Sequence, residues 1–197
     1  MSNFQSKIKD TINLSISTKQ DLLNQCSAEI ENIGYKLAES IKNGGKIMFC
    51  GNGGSAADSQ HLAAELVVRL RSHVNRPALP GIALTVDPSI LTAGGNDIGF
   101  ENIFARTVEA YGKSGDVLIG ISTSGNSGNV MNAMTQAKEM GILCIGLLGA
   151  GGGKLLGMCD YSVVVPSNVT ARVQESHILI GHIWCEMIEE ILFPEYF

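Results

Sequence analysis

Cys50-Gly-Asn-Gly-Gly-Ser-Ala-Ala-Asp-Ser-Gln-His-Leu-Ala-Ala-Glu65 is the stretch on which the fold turns. It continues the apolar run Lys46-Ile-Met-Phe-Cys50, breaks at a glycine turn and resumes as a helical pattern carrying His61 and Glu65 four positions apart. Apolar strand, glycine turn and helix in that order make the βα unit of a parallel sheet.

The rest of the chain repeats the unit. Strands are expected at 46–50, 81–85, 116–121, 143–148 and 161–165. Between and after them, helices are expected at 55–71, 88–95, 100–111, 127–140, a short one near 153–157 and a long one at 171–192. The fold class is therefore α/β, a three-layer doubly wound sheet of about five parallel strands, whose sites lie beyond the C-terminal strand ends. Residues 3–43 carry apolar positions at helical spacing, and Thr18 and Ser27 as N-caps predict two helices there, closed by Asn43-Gly-Gly45. One domain over 1–197 is expected, with N-terminal helices in 1–43 and the α/β core and long C-terminal helix in 44–197.

Bulk properties exclude several functions. A net charge of −5 without a Lys/Arg run opposes nucleic-acid binding. Neither a signal peptide nor a membrane span is legible, and five scattered cysteines without a Cys-x-x-Cys pair suit a reducing compartment, so the expected location is cytoplasmic.

Two turns are suited to anions. Gly51-Asn-Gly-Gly54, with Ser55 as the expected N-cap, presents amides at a helix start, but it matches neither Gly-x-Gly-x-x-Gly nor Walker A and is equally readable as an ordinary βα turn. Ser122-Thr-Ser-Gly-Asn-Ser127 is more specific. Four hydroxyls and a run of amides converge there between a strand and a helix, more than one cap requires, and they can hold a phosphate without a basic residue.

On the helix at 55–71, Asp58, His61, Glu65 and Arg69 share one face, with Ala64 and Val68 beside them, so that face is expected to meet another protein surface. His61 and Glu65 can reach one metal ion or one substrate carbon. In the C-terminal helix, spacing does not decide which of His177 and His182 is chemical.

These motifs resemble the sugar isomerase (SIS) family, through Ser122-Thr-Ser-Gly-Asn-Ser127 and Cys50-Gly-Asn-Gly-Gly-Ser55, over residues 40–192. His61-x-x-x-Glu65 together with Gln174 and His182, eight positions apart, is similar to the bacterial phosphoheptose isomerases within it. The resemblance implies one Zn2+ per subunit held by His61, Glu65, Gln174 and His182, with Glu65 as catalytic base and His182 as acid. It implies substrate contacts from Asn52, Gly53, Gly54, Glu65, Arg69, Asn96, Asp97, Ser122, Thr123, Ser124, Ser127 and Gln174. The implied reaction is aldose–ketose isomerisation of sedoheptulose 7-phosphate, supplying heptose for lipopolysaccharide, by a homotetramer with sites at subunit interfaces. Asp58 and His177 receive only packing or supporting roles.

A non-catalytic branch of the same fold binds the bacterial replication initiator and shares Ser55-Ala-Ala57, Arg172-Val-Gln-Glu-Ser-His177 and Leu192-Phe-Pro194. It lacks the pair at Glu65 and His182, so the isomerase reading is preferred. A phosphosugar-sensing regulator would need a DNA-binding domain for which 197 residues leave no room.

Overall fold

The computed structural model describes residues 4–197; Asn3, included in the expected first helix, lies outside them. Five parallel strands, β1 (Ile47–Gly51), β2 (Gly81–Ala83), β3 (Val117–Ser122), β4 (Leu143–Leu148) and β5 (Tyr161–Val164), pair in the order β2-β1-β3-β4-β5. β1 sets Ile47 beside Val117 and Gly51 beside Ile121, and β3 sets Val117 beside Leu143. Alternate residues feed two cores. Ile47, Phe49, Ile119, Ile121, Ile145 and Leu147 face one, while Met48, Cys50, Leu118, Cys144 and Leu148 face the other. With both faces covered, the central strands read as continuous apolar runs.

The helices α1 (Phe4–Lys42), α2 (Gly54–Val67) and α6 (Thr170–Leu192) close the first face, and α4 (Ile103–Tyr111) and α5 (Gly128–Glu139) close the second. α3 (Pro88–Asp97) follows β2, its N-terminus capped by Asp87, which accepts from the amides of Ser89 and Ile90. Leu22, Ile33 and Leu37 of α1 pack with Ile180, Trp184 and Ile188 of α6, and the Trp184 indole N–H donates to the Ile30 carbonyl at 2.9 Å. Among the described residues, no helix is long and apolar enough to cross a membrane.

The five strands fall within two residues of the expected bounds, and several helices differ from expectation for local reasons. The N-terminal region is one helix of 39 residues where two were expected. Thr18 and Ser27 are not caps: each hydroxyl donates back to a carbonyl four residues earlier, Thr18 to Leu14 at 2.8 Å and Ser27 to Leu23, and the helix runs through both. Ser55 is likewise no cap; α2 starts at Gly54 behind Gly53, and Ser55 is buried in the first turn. α2 also stops at Val67 where 71 was expected. Its last carbonyls are taken by Arg76, which donates to Glu65 O at 2.7 Å and Leu66 O at 2.9 Å. The expected helix at 100–111 begins as a 3₁₀ turn, Phe100–Asn102, and the short one near 153–157 is 3₁₀ throughout, Lys154–Met158.

Candidate active site

The strand order reverses between β1 and β3: the chain leaves β1 for β2 on one side and leaves β3 for β4 and β5 on the other. Ligands bind at such a reversal, outside the carboxyl ends of the two strands, and both anion turns lie there. Their side chains join them. The amides of Asn52 and Asn129 donate to each other at 2.8 Å in both directions, tying the turn after β1 to the first turn of α5.

In the second turn the hydroxyls of Ser122 and Ser127 are 2.9 Å apart, so Ser127 is not spent on capping α5, whose start receives no side-chain cap. The first amides of α5 stay free for an anion. Thr123 is half-buried, and Ser124 is exposed with its hydroxyl accepting from the Asn126 amide at 3.2 Å. The loop is held from below: Leu155 N donates to Gly125 O at 2.9 Å, and Lys154 N to Asn126 Oδ1 at 3.2 Å. Gly125 has φ 65°, and a Cβ there would stand 1.9 Å from Gly152 O, so no other residue fits without moving the loop.

α2 and α6 bring three ligating side chains together. His61 Nε2 lies 2.9 Å from Glu65 Oε1 and 3.4 Å from His182 Nε2, and the two imidazole rings meet edge to face, 4.9 Å between centroids. One ligand atom from each residue lies within 4.8 Å of the others. Two nitrogens bound tetrahedrally to a zinc-sized ion at its usual bond length stand about 3.3 Å apart, so this donor set fits such an ion with little adjustment. The site is open, with the His61 side chain 47% and the Glu65 side chain 19% exposed.

Residues 13–149 match the SIS domain model. The chain is 52% identical over 197 residues to the phosphoheptose isomerase of Clostridium acetobutylicum, covering 99% of this chain and 98% of that one. To the phosphoheptose isomerase of Aneurinibacillus thermoaerophilus it is 50% identical over 192 residues, covering 96% of each. The chain belongs to the phosphoheptose isomerase family. The solved structure of a phosphoheptose isomerase from Francisella tularensis superposes with a TM-score of 0.92 at 37% identity, covering 96% of this chain and 100% of that one.

In this member of the phosphoheptose isomerase family, the remaining expected site residues lie at the start of α2, its C-terminal end, the end of α3 and the first turns of α6. Gly53 and Gly54 are exposed at the start of α2. The Gln174 amide rests against Gly54, where a built Cβ would come 2.4 Å from its Nε2. Gln174 lies eight residues before His182 on α6, a rise of about 12 Å along the helix axis. Arg69 lies past the end of α2 and is exposed, no longer on the helix face that carries His61 and Glu65. Asn96 and Asp97 are exposed at the end of α3 and bonded to each other at 2.7 Å.

His177 is fully buried and bonds Leu148 O at 3.0 Å, apart from the triad. Asp58, one turn before His61, has a buried Oδ2 without a partner; burial pushes its carboxyl up, against the opposing effect of His61. Asn129 and Arg76 were not among the expected residues. Asn129 had a faint signal, an amide in the first turn after a serine loop. Arg76 lies in the proline-containing stretch 75–80, where no local pattern signals its role.

Proposed function

We propose that this chain interconverts sedoheptulose 7-phosphate and D-glycero-D-manno-heptose 7-phosphate, an aldose–ketose isomerisation feeding heptose and lipopolysaccharide synthesis. The observation that carries the reading is the placing of His61, Glu65 and His182 within reach of one point, on helices flanking the strand reversal that holds the serine loop. The initiator-binding alternative has no use for such a triad.

The reaction moves one proton between C1 and C2 and one between their oxygens. Glu65 takes the C1 proton of the ketose while His182 gives a proton to O2, leaving a cis-enediol. Glu65 then returns its proton to C2 and His182 removes the one on O1, which restores both groups and leaves the aldose. Ser122, Thr123, Ser124, Ser127 and the free amides of α5 bind the phosphate, fixing the sugar so that C1 and C2 meet the triad. Asn52, held by Asn129, lines the sugar with Gly53 and Gly54, and Asn96, Asp97 and Arg69 complete the substrate contacts that the family resemblance implies.

A divalent ion of the zinc class, held by His61, Glu65, His182 and Gln174, would polarise the C1 and C2 oxygens. Gln174 joins that set from a neighbouring chain, which accords with the 12 Å spacing of about eight helical residues and with the open triad. This reading takes the protein as a homotetramer with sites shared between subunits, and the five free cysteines suit the cytoplasm.

The test is turnover. Purified protein with Zn2+ should convert sedoheptulose 7-phosphate to aldose and exchange the C2 proton with solvent, and Glu65→Gln and His182→Gln should each lower kcat by about 100-fold or more. Undiminished turnover in either variant would remove that residue from the chemistry; an inactive wild type would remove the isomerase.

A further inference from the structure

The loop between α2 and β2 carries a cluster that the proposed chemistry leaves unused. Arg76 and Glu189 form a buried ion pair, Nε to Oε1 2.9 Å, with side chains 0% and 1% exposed. The pair is not isolated: Glu189 also accepts from Arg71 Nε at 3.0 Å and from the Leu70 amide at 3.4 Å. Arg71 goes on to Glu190 Oε1 and to Glu186 O, each at 3.0 Å, and stacks 4.2 Å over the Phe197 ring. Glu189 belongs to α6, two turns beyond His182.

The other donors of Arg76 go to the last carbonyls of α2 and to its own loop. Nη2 binds the carbonyl of Glu65 itself at 2.7 Å, and Nη1 binds Leu66 O at 2.9 Å and Pro77 O at 3.0 Å. The guanidinium thus supplies the cation and the hydrogen bonds that the last turn of a helix lacks. It does so while gripping α6 with its remaining edge. Those two helices carry the triad, His61 and Glu65 on one and His182 on the other.

We infer that Arg76, held by Glu189, is a positioning residue for the isomerase site: it fixes the last turn of α2 against α6 so that the Glu65 carboxylate meets His61 and His182. The planar fork is essential to this role. One side chain must serve two successive carbonyls of α2 and a carboxylate of α6 in one plane, which a lysine ammonium does not do. The inference rests on the proposed isomerase only for its kinetic part; the metal-binding part concerns the triad alone.

The test uses the full chain with Arg76→Lys and with the double variant Arg76→Met/Glu189→Leu, which removes the buried cation and its carboxylate together while Arg71 keeps its bonds to Glu190 and Glu186 O. Titration of the apoprotein with Co2+ should show each folded variant binding about 10- to 100-fold more weakly than wild type, the range seen when a support of a metal ligand is lost. In turnover kcat should fall by a similar factor while KM for the phosphosugar stays within about twofold, because the phosphate loop lies on β3 and α5. Wild-type Co2+ affinity and kcat in a folded variant would overturn the inference, as would equal losses through kcat and KM. If neither variant folds, the pair serves the fold alone and the positioning role is also overturned. A wild type that binds Co2+ but does not turn over sedoheptulose 7-phosphate sinks the isomerase reading, and the Co2+ comparison still decides the role of Arg76.

Discussion

His177 and His182 are five positions apart on one helix and have opposite fates. His182 is half-exposed in the triad, whereas His177 is sealed under the end of β4 with Nε2 on the Leu148 carbonyl. A carbonyl only accepts, so Nε2 carries the proton and Nδ1 is a bare lone pair with no donor facing it. Protonation would bury a charge and a new N–H with nothing to receive it, and burial pushes this imidazole down to about 4. In the unfolded chain it titrates near 6.5. Between those values the unfolded state binds more protons, so its contribution to stability is complete above pH 6.5 and is lost as pH falls, amounting to about 3 kcal/mol by pH 4. Urea unfolding at pH 7.5 and 4.5 should show wild type losing more stability than His177→Gln, which keeps a donor for Leu148; equal losses would exclude His177 as the source. Spacing did not separate these two histidines, because the difference lies in the strand end that covers one of them.

Helices α2 and α6 were both legible in the sequence, but their mutual approach was not. Leu62 and Gly181 are the chain neighbours of His61 and His182, and they are where the helices touch: a Cβ on Gly181 would lie 2.4 Å from Leu62 Cδ2. That missing side chain lets the two imidazoles come within 3.4 Å. Gly181→Ala should therefore push α2 away from α6, cost about 1–3 kcal/mol of stability, and weaken Co2+ binding while leaving inhibition by inorganic phosphate at the serine loop unchanged. Wild-type Co2+ affinity in a folded Gly181→Ala protein would refute this account. Helix ends were misread for a related reason. The stop of α2 is set by Arg76, ten residues after Leu66, and local capping patterns do not register a cap that returns from so far along the chain. Thr18 and Ser27 were misread because a hydroxyl serves an i−4 carbonyl as readily as a helix start.

At the scale of the molecule, five apolar runs separated by glycine turns and helices give the doubly wound sheet, whereas the strand order that puts both turns at one reversal is set by packing and not by the runs themselves. The site nevertheless remains open within one chain. His61 is half exposed, the Gln174 amide rests against Gly54, and α1 carries a solvent-facing stripe of Phe4, Ile8, Ile12, Ile16 and Leu23, each more than 50% exposed. A stripe of that kind suits an interface, and the tetramer proposed above would have it to cover, with Gln174 supplied across a subunit boundary. Subunit mixing tests the sharing directly. Glu65→Gln and Gln174→Ala proteins should each be inactive as homo-oligomers. Unfolded together, refolded and re-associated at equal amounts, they form sites in which a Gln174→Ala chain supplies Glu65 and its Glu65→Gln neighbour supplies Gln174. Random assembly makes roughly a quarter of the sites whole, so activity should return to about that fraction of wild type. If all four ligands came from one chain, no mixture of the two would regain activity, because every site would lack either its base or its amide.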